Sequence, residues 1–94
     1  MNIWVKRFLI TLGLLIGIVA ILLLNYVHYI NKLNDYFYAV HTNDLKTIQK
    51  LIDQGIDVNS KNPKSGSTAL EMAIREKNQE LEHLLLKNNA KHQK

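Results

Sequence analysis

The chain has no cysteine, a single proline and only four glycines. Without thiols there can be no disulfide, no thiolate nucleophile and no cysteine-type zinc site. Scarce glycine and proline leave long stretches without a breaker, and none occurs between Ile18 and Gln54. Charge is missing from the first third. Of the 20 Lys, Arg, Asp and Glu (12 basic, 8 acidic), only Lys6 and Arg7 fall in residues 1–30. The same 30 residues hold 22 of the 44 apolar side chains. Two materials are therefore joined end to end, and a single soluble domain over the whole length is excluded.

The net charge of +4 does not point to nucleic acid. Residues 31–94 carry 10 basic and 8 acidic residues with the signs mixed, whereas a nucleic-acid binder gathers positive charge on one face or arm. Chemistry is sparse as well. His28, His41, His83 and His92 form no His-x-x-x-His pair, so no metal is expected. Ser65-Gly66-Ser67 lacks the Gly-Lys-Ser/Thr of a phosphate loop and the frame of a nucleophile elbow. It reads as a turn. Neither a cofactor nor catalysis is expected.

What is present begins with Phe8 to Leu24, where 14 of 17 residues are Phe, Leu, Ile, Val or Ala and none is charged. Extended to Val27 the stretch makes roughly 30 Å of helix, the thickness of a hydrocarbon core. Its Phe, Leu, Ile and Val favour insertion by about 4–8 kcal/mol, more than Thr11, Asn25 and the glycines cost. Trp4 on one side and Tyr26 and Tyr29 on the other stand where interfacial aromatics stand. A cleaved signal peptide is the competing reading. The apolar run exceeds the usual length, and Asn25-Tyr26-Val27-His28-Tyr29 offers no small-residue cleavage site. An uncleaved anchor in a lipid bilayer is the expectation. Lys6 and Arg7 precede the span, and Lys32 is the only Lys or Arg between it and Asp44. The N-terminus is thus expected in the cytoplasm and the remainder outside it, in the periplasm if the cell is bacterial. Gly13-Leu14-Leu15-Ile16-Gly17 is a GxxxG, which lets a second helix approach closely. Glycine is also common in membrane spans, so a homodimer packed through Gly13 and Gly17 stays an open alternative.

After Asn31 the sequence is mixed and helical up to Gln54. Gly55 to Gly66 is turn-rich, and a helical pattern resumes at Thr68 and lasts to about Lys87, with Leu70, Ala73, Ile74, Leu81, Leu84 and Leu85 as its stripe. Shifted by 34 positions the stretch resembles itself. Ala39 meets Ala73, Leu51 meets Leu85, Val40 meets Ile74, Ile52 meets Leu86, and Gly55 meets Asn89. Gly and Asn both tolerate a left-handed helix end. Each unit therefore reads as a short helix around a small Ala, a polar break, a second helix and a Gly/Asn stop.

Gly55-Ile56-Asp57-Val58-Asn59, Gly66-Ser67-Thr68-Ala69-Leu70-Glu71-Met72-Ala73 and Leu84-Leu85-Leu86-Lys87-Asn88-Asn89-Ala90 carry a resemblance. They look like G-A-D-V-N, G-x-T-P-L-H-x-A and L-L-L-x-x-G-A of the ankyrin repeat family. Residues 34–91 resemble two such repeats. The departures are Ala69 and Glu71 in place of Pro and His, and a first unit that lacks the Gly-x-Thr-Pro start. The apolar run and the resemblance together imply an all-α protein: a transmembrane helix from the first, then from the second two helix-turn-helix repeats joined by a hairpin-like loop. The expected segments are a tail at 1–7, the membrane helix at 8–27, a juxtamembrane connector at 28–33, the repeats at 34–91 and a tail at 92–94.

Two repeats are fewer than the three normally needed, so the outer faces must be covered. Tyr36 is expected at the core position of Leu70, with Phe37 and Tyr38 in partial contact. Glu76, Lys77, Glu80, Glu82, Lys87 and Lys91 are expected to form a polar end. The family resemblance implies binding of a protein partner. It puts the contacts on the hairpin tip (Lys61, Lys64, Ser65, Ser67) and at the ends of the first helices (Arg75 and Glu76, His41 and Thr42). The same residues suit a plain solvated surface. A small immunity-type protein that neutralises a toxin, or an accessory subunit of a larger membrane complex, are the narrower alternatives.

Overall fold

The computed structural model describes residues 2–92. Met1, Gln93 and Lys94, including most of the expected 92–94 tail, lie outside the described residues. Among the described residues there are four helices: α1 (Ile3–His41), α2 (Leu45–Asp53), α3 (Ala69–Arg75) and α4 (Gln79–Lys87). No strand forms; Lys61 and Thr68 make one isolated antiparallel bridge. The chain divides into two units, Met1–Ile30 and Asn31–Lys94.

The first unit is helix alone. It is long and apolar enough to cross a membrane by length and composition, and none of its most apolar window is buried. Every backbone polar group inside such a helix is satisfied by its own turns. Near the start, Thr11 donates its hydroxyl to the Arg7 carbonyl at 2.9 Å, and the Arg7 guanidinium lies 5.7 Å over the Trp4 ring. The helix begins at Ile3, inside the stretch expected as a tail, and residues 28–33, expected as a connector, are helical too. The absence of any Gly or Pro between Ile18 and Gln54 removes the reason to stop.

The second unit is one backbone pattern used twice, 34 positions apart. Asp35–His41 of α1 corresponds to α3, and α2 corresponds to α4. Asn43 and Lys77 turn the chain with φ of 57° and 55°. The next residues, Asp44 and Asn78, cap α2 and α4 through bonds from Thr47 N–H and Leu81 N–H. The Asp44 and Asn78 N–H groups donate to the carbonyls of Ala39 and Ala73, both at 2.8 Å. Both second helices end in a left-handed residue, Gly55 at 104° and Asn89 at 70°. The stop is the interchange of Gly and Asn that the sequence suggested. The helical pattern from Thr68 to Lys87 is thus two helices, broken at the left-handed Lys77.

The first repeat has no hairpin because residues 31–34 stay helical, whereas the matching 65–68 do not. There Gly66 takes a φ of 75° and Thr68 opens α3 with a reciprocal cap. Its hydroxyl accepts from Glu71 N–H, and the Glu71 carboxylate accepts from Thr68 N–H. Glu71, which departs from the family's His, therefore anchors the same Thr by another route. Thr-Ala-Leu-Glu was legible as a capping box.

The core combines positions buried in both repeats with positions buried in only one. Tyr36 and Leu70, Ala39 and Ala73, Leu51 and Leu85, and Ile56 and Ala90 are buried pairs. Tyr36 takes the expected place, its hydroxyl donating to the Val58 carbonyl at 3.3 Å. Phe37 is more buried than expected and meets Tyr36 edge-on at 5.1 Å, while Tyr38 is exposed. Phe37, Val40, Ile48 and Val58 are buried in the first repeat, but their counterparts Glu71, Ile74, Glu82 and His92 are not. Conversely Ala69 and Leu81 are buried, and their counterparts Asp35 and Thr47 are not. A side chain that would be covered in a longer stack is mostly polar where the stack ends, so each end of this short array carries its own cap.

Polar pairs fix the register between the repeats. Asn78 donates to Asn43 at 2.9 Å. Gln49 and Asn88 exchange reciprocal amide bonds at 3.2 and 2.8 Å. Asn59 accepts from Lys91 N–H at 2.8 Å. No buried side-chain polar atom lacks a partner among the described residues.

Candidate functional site: an open groove beside the hairpin

The hairpin is built by local hydrogen bonds. Asn62 N–H donates to the Ser67 carbonyl at 2.8 Å, and Gly66 N–H to the Asn62 carbonyl at 2.7 Å. The Asn62 side chain accepts from Lys64 N–H at 2.9 Å, an Asx turn that sets the tip. Next to it lies an open groove of about 590 Å³ lined by Asn34, Asp35, Phe37, Tyr38, His41, Asn62, Lys64 and Met72. One wall is the last two turns of α1, another the hairpin, and α3 supplies Met72. Tyr38 is 70 % exposed, while its counterpart Met72 is half-buried.

Asp35 and Lys64 give the groove one charge of each sign, and Asn34 and Asn62 add amides. Phe37 roots it in the core through Tyr36. Burial, and then the charge of Asp57, push the Tyr36 hydroxyl well above the ordinary tyrosine range. It is a neutral donor to Val58 and not an acid at work. At the far end of the unit a second, smaller depression of about 310 Å³ is lined by Leu70, Glu71, Ile74, Arg75 and His92.

The residues expected to meet a partner do not converge on one spot. His41 and Lys64 line the groove. Arg75 lines the second depression and donates to the Ser67 hydroxyl at 3.0 Å, tying α3 to the hairpin. Ser65 accepts from Ser67 N–H at 3.3 Å, and Lys61 is exposed at the bridge. Thr42 spends its hydroxyl on the Tyr38 carbonyl at 3.0 Å, and Glu76 is the exposed C-cap of α3. Sequence reasoning missed Asn34, Asp35, Phe37, Tyr38, Asn62 and Met72 as groove residues, having read Phe37 and Tyr38 as packing contacts. The 34-residue offset could have found the pair Tyr38/Met72, since it already placed Ala39 on Ala73. In the first unit, a Cβ built on Gly13 or Gly17 meets nothing within 4 Å.

Among the described residues no group of three or more His, Cys, Asp or Glu could hold a metal ion. The groove has mixed polarity and lies beside the hairpin, in a unit whose helix pair recurs after 34 residues. The family model for ankyrin repeats (3 copies) matches residues 13–94. The chain belongs to the ankyrin repeat family. Ankyrin repeats are modules for protein–protein interaction, typically without enzymatic activity. Curated proteins and solved structures yield no match. The family model spans three copies, against the two repeats expected from sequence. The described residues form two ankyrin helix pairs, and residues 13–33 of the matched stretch lie within the single helix α1.

Proposed function

We propose that this ankyrin protein is a membrane-anchored binding module that recruits or restrains a protein partner. The observation that carries the reading is the exposed Tyr38 in a groove between α1 and the hairpin. An aromatic left open beside Met72, with Asp35, His41 and Lys64 around it, offers an apolar anchor ringed by polar groups. Interfaces concentrate binding energy at such aromatic anchors. Lys61, Ser65 and Ser67 extend the contact along the hairpin, while Arg75, Glu76 and Thr42 lie outside the groove lining.

The anchor is the apolar helix, whose length and composition suit a bilayer. Lys6 and Arg7 on its N-terminal side support an N-terminus in the cytoplasm and a repeat unit outside it. A photo-reactive phenylalanine analogue at Tyr38 of the full chain, irradiated in native membranes, tests the groove. A discrete protein adduct at Tyr38, absent when the analogue replaces exposed Glu80, is the expected result. Equal labelling at both positions, or none, overturns it.

A further inference from the structure

The two ends of the ankyrin array are not merely polar; they are polar in complementary ways. Each contact that joins the first repeat to the second can be carried forward by 34 positions to the contact that the second repeat would offer a following one. Asn43, which accepts from Asn78, becomes Lys77. Asn78 in turn corresponds to Asp44 at the opposite end. The backbones match at both places: Asn43 and Lys77 share a left-handed φ, and Asp44 and Asn78 are N-caps at ψ of 82° and 88°. An amide pair inside the chain thus becomes a Lys77–Asp44 ion pair between chains.

The second polar contact behaves the same way. Gln49, paired with Asn88, becomes His83, and Asn88 corresponds to Gln54. An imidazole facing a carboxamide can again share a hydrogen bond. In the helix-on-helix layer α2 packs on α4. Carried forward, α4 of one chain packs on α2 of the next, which brings acidic Glu82 to a helix bearing Thr47 and basic Lys50. Two apolar side chains also wait on that face: Ile74 is 43 % and Leu86 41 % exposed, whereas their counterparts in the first repeat are shielded.

We infer that the second-repeat face of this chain docks on the first-repeat face of a second copy, continuing the ankyrin stack from one molecule to the next. The contact is heterologous: the two surfaces differ, so each copy has one of each to offer. Lys77 and Asp44, and Glu82 and Lys50, are opposite in sign across it and set its register, as complementary charges do at interfaces. Asp35, Thr47 and Lys50 stand where Ala69, Leu81 and Leu84 stand within the chain, so this contact is wetter and weaker than the one between the two repeats. The inference shares only Asp35 with the groove and does not depend on the proposed partner.

The absence of cysteine makes the test clean. One full-length detergent-solubilised chain carries His83→Cys, the other Gln54→Cys, and a short bismaleimide joins thiols that come close. The mixed chains are expected to give a dimer several-fold more abundant than either chain alone. Lys77→Glu on the His83→Cys chain should cut that yield several-fold, because it then opposes Asp44 with like charge. Asp44→Asn on the other chain keeps the cap acceptor, removes the repulsion and should restore part of the yield. Equal cross-linking of like and unlike chains, no cross-linking, or a yield indifferent to Lys77→Glu would each overturn the inference.

Discussion

Residues 1–30 and residues 31–94 each contain 22 apolar side chains, yet they use them in opposite ways. In the first unit none of the described ones is buried within the protein. In the second, 15 hydrophobic side chains form a buried core. The difference lies in spacing and not in amount. An uninterrupted apolar run is covered on every side of its helix and has no polar face to turn to water. The same number of apolar residues thinned by 18 charges has a face to bury and a face to leave wet. The first arrangement leaves its apolar surface without cover inside the chain, and the second finds cover in its own neighbouring helices.

The sharpest way to break this comparison is one substitution made in both units. Leu85 is fully buried between the repeats and Leu15 is exposed on α1. Leu85→Ala should cost about 2–5 kcal/mol, enough to unfold an array of two repeats, while Leu15→Ala leaves the repeats as they were. Protease resistance of residues 31–94 within the full chain measures both. A Leu85→Ala protein as resistant as the parent would refute the repeat register.

Next in size is the reciprocal cap that starts α3. Thr68→Ala removes the acceptor for Glu71 N–H at a buried position and should cost about 1 kcal/mol, read as a lower midpoint of urea unfolding. Thr11→Ala in the first unit also removes a hydroxyl-to-carbonyl bond. It should leave that midpoint unchanged, because Thr11 is exposed and caps nothing.

Tyr36 gives the second unit an alkaline limit. Burial raises its ionisation above the ordinary value of 10.0, so the folded state holds its proton longer than the unfolded state. Stability from this group is therefore complete below about pH 10 and is lost as pH rises beyond it. Tyr36→Phe forgoes the bond to Val58 and should lose about 1 kcal/mol at neutral pH. Its deficit should shrink as pH climbs past 10, in unfolding midpoints measured side by side with the parent.

The smallest effect belongs to Asp44. Bonds from the Thr47 hydroxyl and then from Thr47 N–H, with Lys46 nearby, hold its carboxyl below the ordinary range. Its contribution is present above the unfolded value and fades as pH falls through the folded one. Asp44→Asn retains a cap acceptor, as Asn78 does in the second repeat, and should flatten a slight loss of stability as pH falls below the ordinary carboxylate value. Identical acid limbs in the two proteins would show that the carboxylate adds nothing to the cap.

Sequence alone determined the division into two materials, the apolar helix, and the repeated grammar of helix, break, helix and Gly/Asn stop. These are set by local pattern: apolar period, residues tolerant of positive φ, and capping side chains act within a few positions of one another. It also determined the ankyrin family, because Gly55–Asn59 and Gly66–Ala73 are turn and cap signals written in short runs. Only the tertiary structure decided which apolar residues would be covered. Val40 and Ile74 are alike as residues, but the second repeat covers the one and the other stays exposed. The same holds for the groove. Asn34, Asp35 and Tyr38 meet Asn62, Lys64 and Met72 only after the hairpin folds back over α1, and no local pattern marks two segments nearly thirty residues apart as neighbours. Burial and site geometry are properties of what lies across a contact, so they were set when the helices packed.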